Sequence, residues 1–355
     1  MEMFNFIKKR IKKNLKIIHI NDIMKIFNHS DTLLATTDDL LIYDSIKNNS
    51  KKSFSNHLKN RKKQLIEYRK ILNNLKKLPF IKQRTIEWFN ARKNRLTASD
   101  LGDAIKENNI KLAKQKAGIV KNNTNFATIP ALKWGTMFEA MAMRCYSQER
   151  NDIDITEFGL IEDKNNEHFG ASPDGINDMG IMIEIKCPFS RVIKDNNVPE
   201  KYYMQIQGQL AVCGLNECDY VECCFATHDS VYKYIESCEG NVNHGIIAEY
   251  ENISTNEYKY LYSDAYLTAA NALDNINKQI FEYKHDTEIL KFNRLIPWNL
   301  KQINVQRVLF DPELWQKTVP KINNFWEKVE QCKLCEPEEQ KAKLKKYSFV
   351  PDDEN

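Results

Sequence analysis

Residues 172–188, SPDGINDMGIMIEIKCP, decide the fold, because a turn leads into a strand that holds two charges among isoleucines. The period of two along GIMIEIKCP puts Ile181, Ile183 and Ile185 on one face and Met182, Glu184 and Lys186 on the other. The isoleucine face reads as core. A glutamate and a lysine two apart lie side by side, and in isolation they would be a surface ion pair worth about 0–1 kcal/mol. The turn changes that reading. SPDG places Asp174 ten residues before Glu184, across a connection suited to two adjacent strands, so the two carboxylates can meet. Without a cation they repel and one takes up a proton. A hard divalent cation such as Mg2+ or Mn2+ resolves the conflict by using their oxygens as ligands. No histidine or cysteine is placed for zinc, since the Cys187 side chain is expected on the core face. Lys186 can then orient an attacking water and offset charge that builds on a phosphorane-like transition state. Asp followed by Glu-x-Lys is a nuclease arrangement.

Three flanking stretches supply partners. In KWGTMFEAMAMRCYSQE, Glu139 lies on a helical stripe with Ala142, Met143 and Tyr146. Taken alone, Thr136 and Glu139 read as a capping box; beside Asp174 and Glu184, Glu139 reads as a third metal carboxylate. VPEKYYMQIQGQLAVCG begins a helix near Pro199, with Tyr202, Gln205 and Gln209 on a polar face and Ile206, Leu210 and Cys213 on the other. QRTIEWFNARKNRLTASDLGDAI gathers Trp88, Arg92, Arg95, Thr97 and Ser99. Arg92 can fork onto a phosphate and Ser99 can add a hydroxyl. The alternative is that Thr97 only caps a helix with Asp100 while Trp88 is core.

The rest of the chain frames this region. The 355 residues, 42 % hydrophobic and 28 % charged, suffice for one sizeable core with appendages. No stretch has the form of a secretion signal or a membrane span, and nine scattered cysteines fit a reducing compartment, host cytoplasm or nucleus. Cys332 and Cys335 form one CxxC without partners for a cluster. Charge is uneven. Residues 1–80 hold 18 Lys/Arg against 7 Asp/Glu, a basic segment joined to a mildly acidic body. Such a segment suits nucleic-acid backbones, although Leu65, Tyr68, Leu72 and Leu75 also form an apolar stripe that a core would cover. Residues 46–56 read as a linker or loop, and periodicity predicts helices over 85–150, alternating strands over 156–187, and a helix over 199–214. Strands are predicted over 217–237 and 244–251, and helices over 257–285 and 311–333. The expected architecture is α/β, a mixed central sheet flanked by helices. A basic helical extension covers 1–80, a nuclease core 81–255, and a helical region 256–355 whose charged tail is disordered from about 336.

The ordered motifs EWFNARKNRLTAS, WGTMFE, SPDG, IEIKCP and YYMQIQGQ, spread over residues 83–230, resemble the lambda-exonuclease type of viral recombinase nuclease. This type is also called the YqaJ family and belongs to the PD-(D/E)xK superfamily. The resemblance implies a restriction-endonuclease-like core from a phage or large DNA virus. It implies an enzyme that degrades one strand of double-stranded DNA from a 5′ end, leaving a 3′ single strand for recombination, repair or replication. By resemblance Glu139, Asp174, Glu184 and the Ile185 carbonyl hold a pair of Mg2+ ions, for which Mn2+ can substitute. Lys186 positions water and Gln205 is an active-site contact. Arg92, Ser99 and Ser172 hold a 5′-phosphate, with Arg95 beside them on DNA. An annealing or recombination protein and further copies of the chain are the implied partners, with no membrane. Rings and processivity do not carry over to a chain with such extensions, and iron-sulfur relatives carry a cysteine before the glutamate helix that is absent here. Two alternatives keep the same residues: a structure-specific endonuclease, or a non-catalytic DNA-binding recombination partner.

Overall fold

The computed structural model describes residues 51–93, 95–120, 129–150, 152–195, 197–238, 243–283 and 289–334, with side chains from residue 60 onward. The chain opens with helix α1 (Lys51–Leu75), followed by α2 (Ile86–Lys93), β1 (Leu96–Thr97), α3 (Ala98–Ala104), α4 (Ile110–Lys116) and α5 (Pro130–Glu149). Four short strands come next, β2 (Ile155–Thr156), β3 (Ile161–Glu162), β4 (Phe169–Ala171) and β5 (Gly175–Asn177), and then β6 (Met182–Lys186) and helix α6 (Glu200–Cys213). The second half holds β7 (Glu217–Thr227), α7 (Val231–Ser237), β8 (His244–Asn252), β9 (Tyr258–Tyr262), α8 (Ala269–Glu282), β10 (Leu290–Leu309) and α9 (Pro312–Lys333).

The main sheet has the order β2-β5-β6-β7-β10-β8-β9, and a small sheet has the order β1-β4-β3. Only β6 and β7 pair in parallel within the main sheet, because α6 carries the chain back over one face before β7 starts. Gly214 ends α6 in the left-handed conformation, φ 67°, that releases the chain into β7. The expected mixed sheet flanked by helices is the observed architecture.

Both faces of β6 are buried. Ile183 and Ile185 pack with Met137, Phe138 and Met141 of α5, while Met182 joins Ile206 and Leu210 of α6 and Phe325 and Val329 of α9. The stripe on α1 is buried as its spacing predicts: Leu65 and Tyr68 lie on Met179 and Ile181, and Leu72 and Leu75 enter the larger core. At Gly180 a Cβ would sit 2.6 Å from the Tyr68 backbone, so the turn before β6 admits α1 only because it lacks a side chain.

Several boundaries need correction. The region 256–355 is not purely helical. It supplies β9 and the 20-residue β10, which lies between β7 and β8 and is hydrogen-bonded along both. The predicted helix over 257–285 is β9 followed by α8, and the predicted strand over 217–237 stops at Thr227 before α7. Residues 51–56 of the expected linker already belong to α1. The Thr136–Glu139 capping box does not form, because α5 starts six residues earlier with Pro130 in its first turn, leaving Glu139 in the helix interior. The expected disordered tail, Cys335 and residues 1–50 lie outside the described residues.

Candidate active site

Asp174 precedes β5, and the antiparallel register that pairs Gly175 with Ile183 brings it opposite Glu184. The Asp174 Oδ2 accepts the Ile185 N–H at 2.7 Å. Glu184 is 1 % exposed yet well supplied with donors. Gln205 Nε2 donates to its Oε1 and Gln209 Nε2 to its Oε2, both at 2.7 Å, and the Lys186 ammonium closes on Oε1 from the same strand face. The predicted polar face of α6 therefore meets the predicted polar face of β6. Tyr202, one turn before Gln205, lies under Lys186 with its ring centroid 4.9 Å from Nζ. Gln209 is a site residue that its own position on this face signals, and its Oε1 is buried without a partner.

Charge in this pocket is poorly balanced. Burial holds the Asp174 carboxyl well above the ordinary carboxylate range, and Glu184 and then Glu139 push it further, against Lys186 and the Ile185 amide. Burial works against the Lys186 ammonium, but Glu184 and Asp174 outweigh it and raise the lysine above its usual value. Burial first, and then Glu139 and Asp174, keep the Cys187 thiol well above its ordinary value. Its side chain packs on the isoleucine face as the alternation predicts.

Glu139 projects from α5 and is held by Arg84, whose Nη2 lies 2.5 Å from its Oε2. Among the described residues no three His, Cys, Asp or Glu side chains stand together as a ready cage for a metal ion. Glu139 thus acts electrostatically on Asp174 while its Oε2 faces a guanidinium. Nothing in the local sequence around Arg84 signals this contact, which spans 55 positions.

A second cluster adjoins the first. Arg92 Nη2 donates to Thr97 Oγ1 at 3.1 Å and Ser99 Oγ at 3.0 Å, and its guanidinium lies 4.1 Å from the Trp88 ring centroid. Trp88 is buried, as its core reading requires, but its Nε1 also donates to Ser172 Oγ at 3.1 Å. Arg92 and Ser172 therefore flank one indole, with Ser99 held on Arg92, and Ser172 is two residues from Asp174. Burial lowers the Arg92 pKa, with Asp100 opposing. Thr97 makes no side-chain cap to the α3 backbone; its hydroxyl serves Asp100 and accepts from Arg92. Arg95 is not brought into this group. Its guanidinium pairs with Glu162 at 2.8 Å and donates to the Ala91 and Glu167 carbonyls, a tie between α2 and the small sheet.

Fold and site together define a mixed α/β domain that sets acidic residues and a lysine beside a half-buried arginine cluster. Residues 87–216 match the YqaJ-like viral recombinase domain. An uncharacterised protein of Acanthamoeba polyphaga mimivirus is 26 % identical over 301 residues, 73 % of this chain; the chain spans 54 % of that relative's length. Among solved structures, an alkaline exonuclease from Laribacter hongkongensis aligns over 75 % of this chain and 100 % of its own, with 22 % identity and a TM-score of 0.43. A phage-related exonuclease from Haemophilus somnus aligns over 67 % of this chain and 94 % of its own, with 13 % identity and a TM-score of 0.37. Among the described residues no helix is long and apolar enough to cross a membrane.

Proposed function

We propose that this chain is a metal-dependent deoxyribonuclease that degrades double-stranded DNA from a 5′ end and leaves a 3′ single strand for recombination in a viral replication cycle. One observation carries the reading: Asp174, Glu184 and Lys186 converge on one strand face, where Asp174 accepts the Ile185 amide and Lys186 closes on Glu184. The YqaJ-like domain supports DNA as the substrate. The donor set fits a hard divalent cation, because Asp174, Glu184 and the Ile185 carbonyl offer oxygen, with Glu139 nearby, while Cys187 packs on the isoleucine face of the strand. Asp174, Glu184, the Ile185 carbonyl and Glu139 would hold Mg2+, one ion or two. When bound, Mg2+ lowers the pKa of water and neutralises charge on the phosphodiester.

The chain's own residues do the remaining work. Gln205 and Gln209 fix both oxygens of Glu184, so that the carboxylate keeps one orientation through the reaction. Lys186, whose raised pKa keeps it charged, holds the attacking water and stabilises charge developing on the phosphoryl oxygens. Arg92, with Ser99 and Ser172, binds the terminal 5′-phosphate and sets which bond reaches Asp174. The test is digestion of a linear 5′-phosphorylated duplex labelled at either end, with and without Mg2+, by wild type and Lys186→Ala. Mg2+-dependent release of the 5′ label by wild type alone is expected; an intact duplex in all lanes overturns the reading.

A further inference from the structure

Arg84 has no role in the reaction described above, yet it sits on Glu139 by a route that the surrounding structure fixes closely. Gly159 lets the backbone pass unusually near, since a Cβ there would lie 2.2 Å from the Ile81 carbonyl oxygen. Gln83 Nε2 donates to the Phe158 carbonyl at 2.7 Å and the Pro173 carbonyl at 3.1 Å, the latter adjoining Asp174. Thr85 Oγ1 donates to the Lys82 carbonyl at 2.9 Å and accepts the Trp88 N–H at 3.3 Å. Between these anchors Arg84 takes φ 67°, a left-handed conformation that a non-glycine residue rarely adopts. Such a conformation persists where neighbours over-determine it, and it tends to mark function. Here it aims the guanidinium at Glu139.

The pair is half-exposed, with Arg84 46 % and Glu139 36 % accessible. An exposed ion pair of this kind is weakly held and readily exchanged. Arg84 holds Glu139 through Oε2, so a cation shared with Asp174 and Glu184 competes with the guanidinium for the same carboxylate charge. A divalent ion that already meets two carboxylates outbids a single positive charge for the third. Once displaced, the arginine stays at the rim of the acidic pocket, next to the place where a phosphodiester must lie.

We propose that Arg84 is an exchangeable counter-ion: it neutralises Glu139 while no divalent cation is bound, and cation binding hands it over to a phosphate of the incoming DNA. This inference rests on the metal-dependent nuclease reading.

The test measures Mn2+ binding to the full chain without DNA by electron paramagnetic resonance, for wild type, Arg84→Gln, Arg84→Gly and Arg84→Lys. Glycine removes the charge while relieving the left-handed backbone, so it guards against a folding defect in the glutamine variant. Loss of one competing charge at a partly exposed site is expected to tighten Mn2+ binding by about three- to tenfold in Gln and Gly. Lysine is expected to stay near wild type. In a Lys186→Ala background, duplex affinity is expected to fall in Gln and Gly, with a log–log salt slope shallower by about one contact. Equal or weaker Mn2+ affinity in both Gln and Gly, in a wild type that binds Mn2+ and cleaves DNA, overturns this inference alone. A wild type that neither binds Mn2+ nor cleaves overturns the nuclease reading and this inference with it.

Discussion

Two acidic clusters lie on opposite faces of the β6–β7 strand pair, and they are balanced in opposite ways. Asp219 sits beside Ile183, on the face away from Glu184. Its oxygens take Arg307 Nε at 2.7 Å, Arg150 at 3.3 Å and the Tyr146 hydroxyl at 2.6 Å. Glu217, two residues earlier, takes Arg61 from α1, Arg307 and the Tyr68 hydroxyl. Three arginines thus face two carboxylates. Burial pulls both acids upward, but the arginines win and hold Asp219 and Glu217 below the ordinary carboxylate range. On the other face, Asp174 and Glu184 share one lysine, and Asp174 is pushed the other way. The count of positive partners, rather than burial alone, therefore separates the two sites. The matched cluster is a structural joint between α1, α5, β7 and β10, whereas the under-matched one has room for positive charge from outside.

The comparison breaks most visibly at Lys186 and Asp174. Lys186→Ala and Asp174→Ala are each expected to lower Mg2+-dependent cleavage by about 10³-fold or more, with a thermal midpoint close to wild type; a large drop in that midpoint would make the cluster structural after all. The mirror experiment is Arg61→Ala, which leaves Glu217 buried without a main partner. It is expected to cost about 3–5 kcal/mol in urea unfolding while the folded protein still cleaves. A smaller effect follows from ligand linkage. Mg2+ at about 100 times its dissociation constant is expected to stabilise wild type by roughly 2.7 kcal/mol, and to have little effect on a Glu184→Gln variant, as read by thermal shift.

The smallest effect is on pH. Glu217 and Asp219 titrate lower in the folded chain than in the unfolded one, from ordinary values of 4.5 and 3.8. Their contribution is therefore complete above that range and is lost as pH falls through the depressed values. Unfolding midpoints are expected to decline below about pH 4, and Arg61→Ala is expected to flatten that decline. An unchanged slope would remove Glu217 from the account.

How much of this was legible in the sequence depends on distance along the chain. The β6 alternation, the turn at Asp174 and the polar face of α6 are local patterns, and each is where its spacing puts it. Glu139 was found on its helical stripe, although the capping box that competed for it was a decoy created by not seeing the start of α5 at Pro130. The Arg61–Glu217 and Arg84–Glu139 pairs span 156 and 55 positions and leave no periodic trace. The strand β10 was missed for a different reason. Its burial alternates poorly, with exposed residues at Lys291–Arg294 and register shifts near Phe292 and Leu300, and Pro297 interrupts a run that otherwise favours extended chain.

The position of β10 has a consequence for synthesis. All the residues placed at the site, from Arg84 to Gln209, leave the ribosome before β10 does. Until Leu309 emerges, β7 has no neighbour on one side and β8 none on its inner side. A nascent or truncated chain therefore carries the candidate site residues on a half-built platform with open strand edges, prone to pairing with other copies. Closure by such a distant strand makes assembly slow and late. A chain cut before Leu290 is expected to leave both of these strand edges open, with the candidate site on an incomplete sheet.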